Sequence, residues 1–241
     1  MGRVLIVGGS REYTGALYLA GVAALRSGAE SVLIMAPEKV AWAINALSPD
    51  LMTRKLRGTY LSQSHERAIR KQLKTADVLL IGNGATTRPG AAALMRRLMR
   101  WKGLKVVDAD ALKVLRKNEV SNAILTPNEG EWKLLDRHND IRKLLANGNV
   151  IIRKGGRTEI VAKGKKFRMR QVNPGLSKAG MGDVLAGLCA GYLAKGFAPL
   201  RASCEAARVG NEVAALLTKK KRGYFFLASD LVQELKKRVL R

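Results

Sequence analysis

Short runs of β-branched and other apolar residues alternate along this chain with longer segments in which apolar residues recur every three or four positions. The short runs are RVLIVGG (3–9), SVLIMA (31–36), DVLLIGN (77–83), LKVVDAD (104–110) and NAILTPN (122–128). Such alternation is typical of repeated strand–helix–strand units, whose helices cover both faces of a mostly parallel sheet. The sequence therefore predicts an α/β fold.

Helical periodicity occupies the segments between these strands. We predict helices over 14–27, 37–47, 65–76, 90–101, 111–117 and 129–148. Three short strands separated by the turns KGGRT and KGKK then predict an antiparallel patch within 149–174. The remainder, 181–241, is predicted to be mostly helical with a turn at 196–199. Because no linker-like segment interrupts the pattern, we expect one domain over residues 1–241.

Basic residues greatly outnumber acidic ones. The chain has 44 Lys and Arg against 19 Asp and Glu, a formal net charge of +25 that attracts polyanions. The basic residues are spread over the whole length, with denser runs at 96–105, 163–170, 219–222 and 236–241. Aromatic residues make up only 5%, so stacking platforms for bases are scarce. We favour a solvated basic surface and keep nucleic acid as an alternative partner.

The two cysteines, Cys189 and Cys204, fall in apolar helical segments, where a reduced thiol behaves as a small hydrophobic group. Two cysteines in a chain of this length do not indicate a disulfide framework. No apolar run reaches the length of a signal-peptide core or a membrane span. We therefore expect a cytoplasmic protein without a membrane partner.

Small and polar residues follow the predicted strands at the carboxyl end of the sheet, where ligands bind in open α/β folds. These residues are 8–10, 82–84, 108–110 and 126–129. Asp108 and Asp110 could together hold water or Mg²⁺, but we favour Asp110 as the N-cap of the next helix. Asn128 with Glu131 three positions later predicts a capping box.

The segment NPGLSKAGMGDVLAGLCAGYLAKG (173–196) joins a glycine-rich turn to a buried helix. Exposed amides and the positive end of the helix dipole at such a turn bind an anion. Asp183, in the first helical turn, could remove a proton from a hydroxyl beside that anion. Capping by Asp183 is the simpler explanation, but it does not account for Gly175, Gly180 and Gly182 together. The segment therefore favours phosphoryl transfer assisted by Mg²⁺.

Six blocks in a fixed order carry a family resemblance. GMGDVLAGLCAG resembles the GTGDVLAG signature of the C-terminal domain of the YjeF family, within the ribokinase-like superfamily. SPDLM, LLIGNGATT, VVDADAL, ILTPNEGEW and VIIRKGGRTEIV resemble the family's PELM, GPGLG, DADAL, TPHPGE and KGxxT segments. The resemblance implies a ribokinase-like three-layer αβα fold, with a mostly parallel central sheet, helices on both faces and a small antiparallel patch.

The family consists of ADP- or ATP-dependent NAD(P)H-hydrate dehydratases. The resemblance implies that the chain phosphorylates the ring hydroxyl of hydrated NADH or NADPH, known as NAD(P)HX, and eliminates phosphate to restore NAD(P)H. ADP or ATP and Mg²⁺ would be its cofactors, and we expect a homo-oligomer. Two alternatives stay open: a small-molecule kinase of the superfamily, such as a hydroxyethylthiazole kinase, and a catalytically impaired relative that binds nucleotide or RNA.

The resemblance also implies roles for residues at matching positions. Asp183 would be the catalytic base, and the amides of Gly180 and Gly182 would hold the migrating phosphoryl group. The nucleotide would be bound by Lys154, Gly155, Gly156, Arg157, Thr158 and Gly182, and the hydrated substrate by Ala16, Gly84, Asn128 and Asp183. No residue is assigned as a metal ligand.

Several positions depart from the family pattern. Ala179 and Met181 stand where the family loop GGTGD has a glycine and a hydroxyl residue. Asn128 replaces a histidine, and Leu17 replaces a proline. Lys178 is also unusual, and we expect it to contact phosphate directly.

Overall fold

A computed structural model of the chain describes residues 1–169 and 172–235. The basic run 236–241, the last residue of the run 163–170 and the end of the predicted C-terminal helical region lie outside the described residues. The described strands are β1 (Arg3–Val7), β2 (Ser31–Pro37), β3 (Met52–Leu56), β4 (Val78–Ile81), β5 (Leu104–Val107), β6 (Ala123–Leu125), β7 (Val150–Arg153), β8 (Glu159–Ala162) and β9 (Lys165–Arg168). The helices are α1 (Gly15–Ser27), α2 (Glu38–Leu47), α3 (Glu66–Leu73), α4 (Pro89–Met99), α5 (Asp110–Val114), α6 (Glu129–His138), α7 (Ile141–Ala146), α8 (Met181–Ala194), α9 (Pro199–Lys220) and α10 (Ala228–Leu235).

The strands form one sheet in the order β3-β2-β1-β4-β5-β6-β7-β8-β9. Neighbours from β3 through β7 pair in parallel, while β8 and β9 continue the sheet as antiparallel strands. The predicted α/β class, the mostly parallel sheet and the antiparallel patch are confirmed.

Alternate side chains of each central strand enter two separate cores. Val4 and Ile6 of β1 pack against α1, α2, α8, α9 and α10, whereas Leu5 and Val7 pack against α3 to α7 on the other face. Because both faces are covered, β1 and β4 are almost continuously apolar, as expected for buried parallel strands. The three-layer arrangement is therefore confirmed.

The strand order reverses between β1 and β4, since β2 and β3 extend the sheet to one side and the later strands to the other. The loops that leave the carboxyl ends of β1 and β4 therefore lie at the topological switch point, the usual ligand site of such sheets. The two loops also contact each other, because the Gly9 amide donates to the Asn83 carbonyl at 2.8 Å.

Two features of the fold differ from the sequence prediction. The sequence does not predict strand β3, because its sequence, MTRKL, is mostly polar and lies at the sheet edge, where two of its five residues are exposed. The single helix predicted over 129–148 is two helices. Asp140 separates them and caps α7, because its carboxylate accepts hydrogen bonds from the amides of Arg142 and Lys143. None of the described helices is long and apolar enough to cross a membrane.

Helices α1 and α8 pack closely because small residues face each other. A Cβ on Gly187 would lie 2.2 Å from the Ala20 carbonyl oxygen. We therefore expect Gly187→Ala to lower the free energy of unfolding by about 3 kcal/mol through overpacking. Gly210 of α9 is the matched control, since its added Cβ would lie 3.8 Å from Leu188. Gly210→Ala should stabilise the protein by up to about 1 kcal/mol through helix propensity.

Denaturant unfolding of both variants measures these effects directly. Equal stabilities for the two alanine variants would show that α1 and α8 do not pack as described.

Candidate active site

The first turn of α8 starts abruptly at a glycine. Gly180 precedes the helix with φ +82°, a left-handed conformation that favours glycine. A Cβ there would also lie 2.7 Å from the Leu19 Cδ1 atom and 2.9 Å from the Ala228 Cβ atom. The turn places Gly182 and Asp183 in the first helical turn, where backbone amides lack intrahelical acceptors.

A buried polar cluster joins this helix start to the ends of four strands, β4 to β7. Asp108, which follows β5, accepts hydrogen bonds from Thr126 at 2.6 Å, Lys154 at 2.8 Å and Asn83 at 3.0 Å. Asn83, which follows β4, also donates to the Asp183 carboxylate at 2.7 Å. Asp183 is therefore held by the Asn83 side chain and does not cap its own helix.

The cluster sets the protonation of its members. Burial raises the pKa of Asp183 to about 6, and the Asp108 carboxylate adds to the increase. The bond from Asn83 and the charge of Lys154 oppose that increase. Burial also acts against the Lys154 ammonium, but Asp108 and Glu131 outweigh it and raise the pKa of Lys154. At neutral pH Asp183 is thus ionised yet basic enough to accept a proton, beside a permanent cation.

A cavity of about 370 Å³ opens beside this helix start, within the size range of small-molecule sites. Its lining includes Lys154, whose Nζ would lie only 3.1 Å from a Cβ on Gly182. The missing side chain of Gly182 therefore lets the ammonium approach the first turn of α8. Much of the remaining lining is apolar and includes Val184, Leu185, Leu188, Ala206, Ala207 and Leu231.

The residues predicted to bind nucleotide lie only partly around this cavity. Lys154, Gly155, Thr158 and Gly182 line it. Thr158 is buried, and its hydroxyl donates to the Gly155 carbonyl at 3.4 Å. Gly156 and Arg157 form the exposed tip of the turn between β7 and β8 and are not among the lining residues.

Besides Asp183, the three residues predicted to bind the hydrated substrate lie in three separate parts of the fold. Ala16 lies half-buried in the first turn of α1, and Gly84 packs against Tyr13 with φ +63°. Asn128 lines the cavity and caps α6: its side chain accepts from the Glu131 amide, and the Glu131 carboxylate accepts from the Asn128 amide. The predicted capping box is confirmed, while the substrate-binding roles stay predictions.

Two positions that depart from the family loop have structural roles. Met181 is 4% exposed and packs into the core while also lining the cavity. The Lys178 ammonium donates to the carbonyls of Tyr224 and Phe226, and Lys178 also lines the cavity, so its expected contact with phosphate stays a prediction. Met181 thus forms part of the cavity wall, and Lys178 ties the loop before α8 to the segment before α10.

The prediction that Asp110 is an N-cap is wrong. Asp110 is the first residue of α5, and the position before it is Ala109 with φ +50°. The Asp110 carboxylate accepts from the Thr86 amide at 2.8 Å and pairs with Lys113. Asp108 and Asp110 thus contact different groups, because β5 ends at Val107 and the left-handed backbone at Ala109 separates the two side chains.

The described residues contain no group of three or more His, Cys, Asp or Glu side chains that could hold a metal ion. Asp108 is already neutralised by Lys154. This arrangement suits Mg²⁺ delivered with a nucleotide, because Mg²⁺ takes most of its ligands from phosphate oxygens and water in such sites.

Comparison with known proteins gives consistent matches. The family model described as NAD(P)H-hydrate dehydratase matches residues 4–237. The chain is 36% identical to the bifunctional NAD(P)H-hydrate repair enzyme of Pyrobaculum aerophilum, over 97% of this chain and 50% of that protein. It is 30% identical to the ADP-dependent (S)-NAD(P)H-hydrate dehydratase of Cenarchaeum symbiosum, over 97% of this chain and 87% of that protein.

A solved structure supports the same assignment. The ADP/ATP-dependent NAD(P)H-hydrate dehydratase of Bacillus subtilis, co-crystallised with ATP and Mg²⁺ and soaked with CoA, matches with a TM-score of 0.80. The identity is 25%, over 99% of this chain and 92% of that one.

The three layers, the strand order and the aspartate at a glycine-bounded helix start define a ribokinase-like protein. Within that class, the chain belongs to the NAD(P)H-hydrate dehydratase family. It spans about half the length of the bifunctional relatives that it matches.

Proposed function

We propose that this chain converts hydrated NADH or NADPH back to NAD(P)H, with ADP or ATP as the phosphoryl donor. The observation that carries the proposal is the half-buried Asp183 carboxylate at the start of α8, next to a cavity that holds the Lys154 ammonium. The names of the matching dehydratases support the same substrate and nucleotides.

In the proposed first step, Asp183 takes the proton of the ring hydroxyl. The hydroxyl oxygen then forms a bond to the terminal phosphorus of the nucleotide, whose bond to the bridging oxygen breaks, and AMP or ADP leaves. In the second step a water molecule takes a proton from the neighbouring ring carbon, the C–H electrons form the double bond, and phosphate departs with the C–O electrons. Phosphorylation is needed because phosphate is a far better leaving group than hydroxide.

The chain's own residues would stabilise the migrating charge. The amides of Gly180, just before α8, and of Gly182, in its first turn, would donate to the phosphoryl oxygens, and Lys154 would neutralise the charge of those oxygens at close range. Lys154, Gly155, Gly156, Arg157 and Thr158 would hold the rest of the nucleotide, with its base on the apolar wall. Ala16, Gly84 and Asn128 would contact the hydrated substrate. When bound, Mg²⁺ would offset the negative charge of the phosphates.

Restoration of the reduced ring tests this proposal. Hydrated NADH lacks the absorbance of the reduced nicotinamide, so its recovery can be followed optically. The protein should restore this absorbance only when Mg²⁺ and ADP or ATP are both added. A stable phosphorylated product without absorbance recovery would identify a small-molecule kinase instead. Salt-sensitive RNA binding with no turnover would favour the catalytically impaired relative.

The dependence of kcat/KM on pH should show Asp183 acting as a base. The carboxylate accepts a proton only when ionised, and its pKa is raised to about 6. We therefore expect kcat/KM to be constant above that pH and to fall about tenfold per pH unit below it. A profile that is flat down to pH 4, with the folded state intact by circular dichroism, would exclude Asp183 as the base.

We further propose one domain over residues 1–241, acting in the cytoplasm as a homo-oligomer. The exposed apolar side chains of Trp42, Leu47 and Met52 near the β3 edge support self-association. Light scattering at micromolar concentration would test the oligomeric state. The nucleotide and the hydrated dinucleotide are the proposed partners, and nucleic acid is not favoured.

A further inference from the structure

The side chain of Asn83 lies between two carboxylates. It is fully buried in the loop after β4, and its single Nδ2 atom donates to Asp183 at 2.7 Å and to Asp108 at 3.0 Å. Both hydrogens of the amide are therefore used, one for each carboxylate. Asp108 in turn is fixed by Thr126 and Lys154, so Asn83 connects Asp183 to a rigid group.

The orientation of this amide is determined by the carboxylates. Among the described residues, none donates a hydrogen bond to the buried Asn83 Oδ1 atom. A reversed amide would place that oxygen against two negative charges, which is far less favourable. The Asn83 oxygen thus stays without a hydrogen-bond donor within the described part of the chain, while both amide hydrogens point at the carboxylates. An unpaired buried polar atom costs stability, so its presence calls for a compensating role.

The resemblance to the family motif makes this residue distinctive. GNGATT aligns with the family's GPGLG, so Asn83 stands where that motif has proline. Proline has no side-chain donor. A proline at this position could not bridge Asp108 and Asp183.

We propose that Asn83 is a positioning residue, which holds the Asp183 carboxylate oxygen in line for proton removal and keeps it apart from Asp108. The proposal rests on the proposed function. A base acts efficiently only when its oxygen is held within hydrogen-bond reach of the proton that it removes. Without the bridge, the Asp183 carboxylate would rotate away from its charged neighbour.

The charged groups around Asp183 determine the pH response of the bridge. Burial is the largest cause of the raised pKa of Asp183, and the charges of Asp108 and Glu131 raise it further. The hydrogen bond from Asn83 and the charge of Lys154 lower it. Loss of the Asn83 bond should therefore move the acidic limb of the pH profile to higher pH. A purely structural role would not move that limb.

Two variants of Asn83 test the proposal. Asn83→Leu removes both donors at similar size, and Asn83→Asp also adds a third carboxylate. We expect kcat to fall about 10- to 100-fold in the leucine variant and further in the aspartate variant, as for misplacement of a catalytic group. The KM for nucleotide should change less than twofold, because Asn83 is not among the cavity-lining residues. Raising the pH should recover part of the lost rate.

Asn45→Leu is the matched control. Asn45 also binds several groups through its amide, namely Leu51, Thr53 and Lys55, but it lies in α2, in a part of the fold that none of the proposed catalytic steps involves. It should lower the melting temperature without moving kcat or the pH limb. Thermal unfolding and nucleotide binding of every variant show which proteins are folded.

The outcomes separate this proposal from the proposed function. An inactive wild-type protein would reject the function itself. An active wild type with folded Asn83 variants of unchanged kcat and pH limb would reject the positioning role alone. If the leucine variant does not fold, the aspartate variant decides, since the same two readouts apply to it.

Discussion

Asp183→Asn is expected to lower the nucleotide-dependent recovery of NADH from its hydrate by about 10²- to 10⁴-fold, the range measured for loss of a general base. An amide cannot accept the proton of the ring hydroxyl, so the hydroxyl oxygen would have to attack phosphorus while still protonated. The amide has nearly the same size as the carboxylate. Its oxygen can still accept the hydrogen bond that Asn83 donates at 2.7 Å.

The same variant should bind nucleotide about as well as the wild type. The proposed nucleotide contacts come from Lys154, the 155–158 turn and the helix amides, which the substitution leaves in place. Removing a negative charge near the phosphates should, if anything, tighten binding slightly. Calorimetric titration with ADP and ATP measures this directly.

Asp136→Asn is the control for the change of charge. Asp136 is exposed on α6 and should leave both kcat and nucleotide affinity unchanged. Retention of the wild-type rate in Asp183→Asn would remove Asp183 from the proposed mechanism.

Lys154→Met should produce the second largest effect, on stability and nucleotide binding together. The Asp108 side chain is only 2% exposed, and Lys154 is its cationic partner at 2.8 Å. Removing one member of a buried ion pair leaves an uncompensated charge and typically costs about 3–5 kcal/mol. In a chain of this size that corresponds to a melting temperature lower by about 10 °C. Nucleotide affinity should also fall, because the cavity loses its buried cation.

The double variant Lys154→Met with Asp108→Asn separates the two effects. A neutral amide at position 108 can accept from Asn83 and donate to the Thr126 hydroxyl, so no buried charge is left unpaired. We expect it to regain most of the lost stability while nucleotide affinity stays low. Lys113→Met is the control, because Lys113 is 42% exposed and its pair with Asp110 is worth at most about 1 kcal/mol.

Differential scanning calorimetry and nucleotide titration distinguish the possibilities. If Lys154→Met lost no more stability than Lys113→Met, the buried pair would not be structural. If the double variant regained nucleotide affinity, Lys154 would not contact the phosphates.

The layers of the fold could be predicted because each central strand is buried on both faces. Runs such as VLIV in β1 and VLLI in β4 have no polar residue to confuse their assignment. Edge strand β3 could not be predicted, since an exposed strand needs only half of its side chains to be apolar. The break between α6 and α7 depends on the capping geometry of Asp140, which periodicity does not report.

The candidate site was predictable only in part. The glycine at position 180 and the aspartate at position 183 predicted a helix start, and both lie at the start of α8. Anion binding at that helix start stays a prediction. The bridge from Asn83 to Asp183 joins residues 100 positions apart. Sequence pattern placed Asn83 at a strand end, but only the strand order brings the β4 and β5 loops against α8.

The central claim is that one nucleotide phosphorylates the hydroxyl of each hydrated dinucleotide. The resulting phosphate ester then eliminates phosphate while it is bound to the protein. The direct measurement follows NADH formed, inorganic phosphate released and nucleotide consumed in one reaction with Mg²⁺. The account predicts equal amounts of all three, and none of them with Asp183→Asn. Nucleotide consumption without NADH formation, or NADH formation without nucleotide consumption, would contradict it.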